Sequence, residues 1–224
     1  MVFPLYQDVE YPESDGKPLG ETEAHIQDLL EVRHALKRYF QGQEDVYVGA
    51  DLFLYYEEGN PRAVICPDAF VARGVRLRGL RRVYKLWEEG AAPCAVFEVT
   101  SQETRREDLG SKKDRYARLG VEEYFLHDPL GEYLKPQLQG FRLRDGRYQP
   151  IALAPDGTLE SLSLGLRLRA EGVWLRLIDG ATGKPLLRSE EEADAREAEA
   201  RAREAMELEN RSLREELERL RSGK

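Results

Sequence analysis

Two acidic residues stand where a folded chain can least accommodate a charge. The stretch CAVFEVT, 94–100, carries Glu98 inside an apolar, β-rich run, and AVICPDAF, 63–70, carries Asp68 between two more. A carboxylate in such a setting is costly as an anion unless a cation or hydrogen bonds compensate it. Each residue has a plain alternative. Asp68 follows Pro67 and by itself reads as a strand-edge turn, and arginines could hold both acids. Together, on strands that can be neighbours, they make a natural site for a hard cation. Magnesium takes one or two carboxylates and fills its remaining positions with water and phosphate oxygens. The chemistry such a site serves is phosphodiester hydrolysis, in which a divalent ion, Mg2+ or Mn2+, activates water and neutralises phosphate. The Val99 carbonyl is a further oxygen for that ion.

A cation on the next element fits the same chemistry. Leu109, Tyr116 and Leu119 are spaced as the apolar stripe of a helix over about 105–119. Lys112 lies three residues after Leu109 and four before Tyr116, inside that stripe, while Lys113 is rotated outward. An inward lysine can lower the pKa of an attacking water or stabilise developing negative charge. The bland alternative is an i,i+4 pair with Asp108, worth a few tenths of a kcal/mol. Asp51 reads as a strand cap more readily than as a second-ion ligand, and Glu31 on the first helix could reach the site. His25, His34 and His127 lack zinc spacing and neither cysteine belongs to a CxxC, so these are read as surface or structural residues. No glycine-rich phosphate loop and no nucleophile-elbow serine occurs.

The elements that must position these groups follow from periodicity. Ile26, Leu29, Leu30, Leu36 and Phe40 define an amphipathic helix over 22–41. Strand-like runs cover 46–56 and 63–72, separated by the turn signal EEGNP. A strand over 94–100, apolar on both faces, takes a central place in a sheet. VEEYFLHDP gives another strand, and 132–188 breaks into short strands with turns at DGR, APDG and DGATGKP. The expected fold is α/β: a mixed central sheet flanked by helices, an antiparallel extension, and a C-terminal helix. Residues 1–188 form the body and 189–224 a charged helical tail. In that tail Ala195, Ala198, Ala202, Met206, Asn210, Leu213, Leu217 and Leu220 trace a narrow coiled-coil-like seam, which makes a homo-oligomer the expected state. A solvated single helix is the alternative.

PDAFV followed by VFEVTS..T...D...K...Y..LGVEEYFLHDP resembles the Uma-type restriction endonuclease family within the PD-(D/E)XK nuclease superfamily. The resemblance runs from the first helix to the GLRLR strand. It implies that Asp68 and Glu98 are the two motif acids. It also implies that Thr100 stands where the superfamily usually has its lysine, and that Lys112 on the following helix takes over the lysine's role. Thr100 thereby joins Asp68, Glu98 and Lys112 in the implied catalytic group.

Bulk properties set limits on the partner. The net charge is −8, and half of it sits in the tail from 189, so the body is acidic too. A DNA-binding surface must therefore be a local patch. The acid-free stretch ARGVRLRGLRRVYKLW, with Arg73, Arg76, Arg78, Arg81, Arg82 and Lys85, is the candidate, with Arg81, Arg82 and Lys85 foremost. Tyr84 and Trp87 could stack on unpaired bases. A solvated arginine-rich loop is an equal reading. Cys66 and Cys94 read as reduced core thiols, and there is no signal-like or membrane-length apolar segment, so the cytoplasm is the expected compartment. The function these features favour is metal-dependent DNA hydrolysis. Its rivals are a nucleic-acid-binding protein of the same fold without turnover and an oligomeric scaffold acting through its tail.

Overall fold

The computed structural model describes residues 9–14, 22–76 and 79–223. The chain divides into two compact units, Met1–Leu186 and Leu187–Lys224. Helix α1 spans Glu23–Tyr39, and Thr22 caps it in an extended conformation, its side chain accepting the His25 N–H at 3.3 Å. Its buried side matches the leucine spacing only in part. Leu36 and Phe40 are buried and Leu29 packs against the core as expected, but the face is rotated at its N-terminal half. His25, Asp28, Val32, Ala35 and Leu36 are buried, whereas Ile26 and Leu30 are exposed. Polar anchoring accounts for the rotation: Asp28 accepts the Leu175 N–H at 2.7 Å and lies 2.6 Å from His127 Nδ1. Those two bonds are possible only with this face inward.

The two expected long strands each break in the middle. Strands β1 (Val46–Ala50) and β2 (Leu54–Tyr55) are separated at Asp51, which adopts a left-handed φ of 45°. Strands β3 (Val64–Ile65) and β4 (Ala69–Arg73) are separated at Cys66-Pro67-Asp68. The breaks face each other. Ala50 pairs with Ala69, and one step further the Asp51 N–H donates to the Asp68 carbonyl at 3.0 Å. Asp51 thus sits at the end of β1, in a backbone conformation that short polar side chains tolerate. Strand β5 (Tyr84–Lys85) joins β2 and β3 in a small sheet, and helix α2 (Leu86–Glu89) ends at Gly90 with φ 74°.

Strand β6 (Pro93–Val99) is buried at every position. After it come α3 (Arg105–Glu107), a π-helical turn over Asp108–Lys112, α4 (Lys113–Arg118) and β7 (Glu123–His127). Strands β8 (Leu138–Arg144) and β9 (Arg147–Pro150) finish a six-stranded mixed sheet of order β1-β4-β6-β7-β8-β9. Within it β6 runs antiparallel to β4 and parallel to β7. Strands β10 (Thr158–Ser161), β11 (Leu166–Glu171) and β12 (Trp174–Asp179) form the antiparallel extension.

Alternation along β6 divides the core. Ala95 and Phe97 belong to the cluster that includes α1 and β10–β12, and Val96 packs in a second cluster with Tyr116 and Tyr124. Glu98 has the parity of Val96, so it emerges on the α3–α4 side. The second unit consists largely of helix α5, Ser189–Arg221. Among the described residues no helix is long and apolar enough to cross a membrane.

Candidate active site

The site lies where β4 begins and β6 ends. Ala69 pairs with Phe97, so the next residues outward, Asp68 and Glu98, come side by side. Asp68 Oδ2 accepts the Val99 N–H at 2.6 Å, which fixes its carboxylate against the end of β6. His25 Nε2 stands 3.6 Å from the same oxygen and brings α1 to the edge of the site. Glu98 is 1% exposed and is held from the opposite side by two donors. The Tyr116 hydroxyl donates to Oε1 at 2.6 Å and the Lys112 ammonium to Oε2 at 2.8 Å.

Lys112 reaches Glu98 through a helical segment that is not a regular α-helix. The π turn over Asp108–Lys112 has a wider ring, so residues four apart fall nearly in line. Asp108, Lys112 and Tyr116 therefore form the inward row, and Leu109 is 41% exposed. The stripe read from Leu109 is corrected here. Lys112 does face inward, but in line with Asp108 rather than Leu109. Its ammonium also lies 3.0 Å from Asp108 Oδ1, so the i,i+4 pair and the contact with Glu98 coexist. Lys113 points elsewhere, with Nζ 3.4 Å from the centre of the Phe141 ring.

Three carboxylates thus crowd one ammonium. Burial pushes the Glu98 carboxyl above its ordinary range, against the pull of Lys112, and the charges of Asp68 and Asp108 add to the rise. Burial likewise raises Asp108. Burial alone would lower the Lys112 ammonium, but Glu98, Asp108 and Asp68 outweigh it and hold the group above its usual value. The acids therefore outnumber the one lysine, and without a further cation the Glu98 and Asp108 carboxyls hold their protons more readily than exposed ones. Thr100, which occupies the position of the usual motif lysine, is 2% exposed and its Oγ1 has no hydrogen-bond partner among the described residues. Adjoining acids that share one lysine fit a hydrated divalent cation. Each Glu98 oxygen retains a second lone pair beyond its bond to Tyr116 or Lys112. No group of three or more His, Cys, Asp and Glu side chains gathers as a metal-ligand cluster among the described residues, so a cation held by Asp68 and Glu98 would need water and main-chain oxygen to complete its shell.

The family model described as "Putative restriction endonuclease" (Uma2) matches residues 4–174. The chain belongs to the Uma2 family. A solved structure from Anabaena variabilis ATCC 29413, described as "a putative nuclease belonging to DUF820", superposes with a TM-score of 0.52 at 14% identity. It covers 69% of this chain and 82% of its own. That likeness establishes a shared fold. None of the curated proteins matches the sequence. Membership of the Uma2 family supports a nuclease-like role for the chain.

The arginine stretch is the main correction. Arg81 is spent inside the protein: its Nε and Nη2 bond the two oxygens of buried Glu89 at 2.7 and 3.0 Å, and its guanidinium lies 3.8 Å from the Tyr47 ring. Tyr84 is fully buried, with its hydroxyl on the Ala91 carbonyl, and offers no stacking face. Lys85 bonds Glu88 at 2.9 Å, Arg82 pairs with Glu13, and Arg73 lies over Phe40. Arg82 alone of the three foremost candidates keeps a largely exposed side chain. Arg78 lies outside the described residues. The stretch has no acid of its own, but Glu88 and Glu89 follow it directly in the chain and Glu13 reaches it from the N-terminal segment. Glu31 is half-buried on α1, while the acid that α1 turns inward is Asp28. Sequence reasoning also missed Tyr116 as a partner of Glu98 and His25 as a neighbour of Asp68. The regular 108–112–116 spacing was the available signal for the first.

Proposed function

We propose that this Uma2-family protein is a metal-dependent endonuclease that hydrolyses DNA phosphodiester bonds. Asp68, Glu98 and the Val99 carbonyl would hold Mg2+ or Mn2+. When bound, the ion supplies Lewis acidity to the scissile phosphate and a more acidic bound water. Lys112 keeps its proton, because three carboxylates surround it. As an ammonium it orients Glu98 and places positive charge where negative charge develops on the phosphate. Tyr116 fixes the other Glu98 oxygen and so limits the rotation of the carboxylate. Asp108 holds Lys112 from behind, and Thr100 keeps a buried hydroxyl two residues beyond Glu98. DNA is met in the cytoplasm, a compartment that also suits two unpaired cysteines.

The observation that carries the reading is the contact between Lys112 and Glu98, joining a helical lysine to a buried acid beside Asp68. Incubation of plasmid and single-stranded DNA with the protein and Mg2+ or Mn2+ tests it. Cleavage that EDTA abolishes and Glu98→Gln lacks is expected. Binding without cleavage in either metal would leave the fold in the service of recognition alone.

A further inference from the structure

Helix α5 carries a surface that its own unit leaves bare. Met206, Leu208, Leu213, Leu217 and Leu220 are each at least half exposed on a 33-residue helix rich in charged residues and alanine. With Asn210 between them, Met206, Leu213, Leu217 and Leu220 recur in the alternation 4, 3, 4, 3 that defines a coiled-coil seam, which leaves Leu208 outside it. With Met206 at position d, Asn210 falls at a, Leu213 at d, Leu217 at a and Leu220 at d. The flanking positions are then fixed. Glu209 and Glu216 stand at g, and Glu207, Arg214 and Arg221 at e.

That assignment discriminates between partners. In a parallel, in-register pair, each g residue faces the e residue of the next heptad on the other helix. Glu209 then meets Arg214 of the second copy, and Glu216 meets Arg221 of the second copy. In an antiparallel pair g faces g and e faces e, which sets glutamate against glutamate along g. Glu207, already paired with Arg203 of its own helix, is then the lone acid to offset the arginines along e. Asn210 agrees with the parallel choice, since an asparagine at a can bond its own equivalent and specify register at some cost in stability. In the single helix its Nδ2 bonds only the Met206 carbonyl of its own chain, at 2.9 Å.

We propose that the segment 206–221 docks a second copy of this chain as a parallel, in-register coiled coil. The inference does not depend on whether the body cuts DNA. The full-length protein should sediment as a dimer, and Leu217→Asp should make it a monomer with an unchanged thermal transition of the body. Glu209→Arg with Glu216→Arg should weaken dimerisation by roughly tenfold or more, and adding Arg214→Glu and Arg221→Glu to that chain should restore it. Orientation is read by oxidative cross-linking of Asn210→Cys and, separately, Leu220→Cys, each with Cys66→Ser. Both should form disulfide dimers, because a parallel pair sets every seam position opposite itself. A monomeric full-length protein, a dimer indifferent to Leu217→Asp, failure of the charge-swapped chain to recover, or cross-linking at no more than one of the two positions would overturn the proposal.

Discussion

Glu98 and Glu123 are the same residue type on adjacent parallel strands and both are 1% exposed, yet their surroundings are opposite. Glu123 is saturated. Its Oε1 accepts from Arg142 Nε at 2.9 Å and the Leu162 N–H at 3.0 Å; its Oε2 accepts from both Ser163 groups and the Ser161 hydroxyl. These bonds tie β7 to β8 and to the turn between β10 and β11. Glu98 has two donors, one of them a lysine shared with Asp108, and further acids beside it. A buried charge with a full set of donors holds a fold together. A buried charge with too few donors, beside other acids, is poised for a cation from outside.

The comparison can be broken most directly by matched substitutions. Glu123→Gln removes the charge that Arg142 faces and puts an amide among donors, so unfolding stability in urea should fall by about 3 kcal/mol. Glu98→Gln should leave stability within about 1 kcal/mol of the parent, or raise it, because a poorly compensated buried charge is removed. It should abolish cleavage. If Glu98→Gln destabilises the protein as much as Glu123→Gln, both acids are structural and the proposed function fails.

Neighbouring lysines sharpen the contrast. Lys112→Ala should reduce single-turnover cleavage on the order of a hundredfold or more while manganese affinity by calorimetry changes little. Lys113→Ala should cut at nearly the parental rate and lose only its contact with Phe141, about 1 kcal/mol. An essential Lys113 and a dispensable Lys112 would contradict the inward row of Asp108, Lys112 and Tyr116.

Arg81 offers a smaller test of the same lesson about compensation. Arg81→Ala leaves Glu89 buried and unpaired and should cost about 2 kcal/mol of stability, with little change in the salt dependence of DNA binding. Arg82→Ala should hardly affect stability, and it is the variant that would flatten the salt slope. A reversed pattern would return Arg81 to the DNA-binding surface.

These contrasts explain what the sequence disclosed. The mixed sheet, the central burial of β6 and the two acids at adjoining strand ends were legible because each rests on local alternation and on a charge out of place. The inward direction of Lys112 was also legible, although its reason was not. The π turn is invisible to a fixed 100° periodicity, and it moves Leu109 out and Asp108 in. The rotation of α1 was hidden for a similar cause. Its face is chosen by Asp28 bonding to Leu175, 147 residues away, and to His127, and no helical pattern encodes such partners. Glu123 went unremarked because VEEYFLHDP begins with two adjacent acids and reads as a strand edge. Arg81 misled because its counter-charge, Glu89, arrives from beyond the run of arginines.

The central claim is that Glu98 and Asp68, unlike Glu123, await a divalent ion. A crystal of the full-length protein grown with manganese tests it in one anomalous difference map. The expected result is a peak about 2.1 Å from carboxylate oxygens of both Asp68 and Glu98, with none beside Glu123. Saturating manganese that leaves the Asp68–Glu98 position without anomalous density would contradict the account.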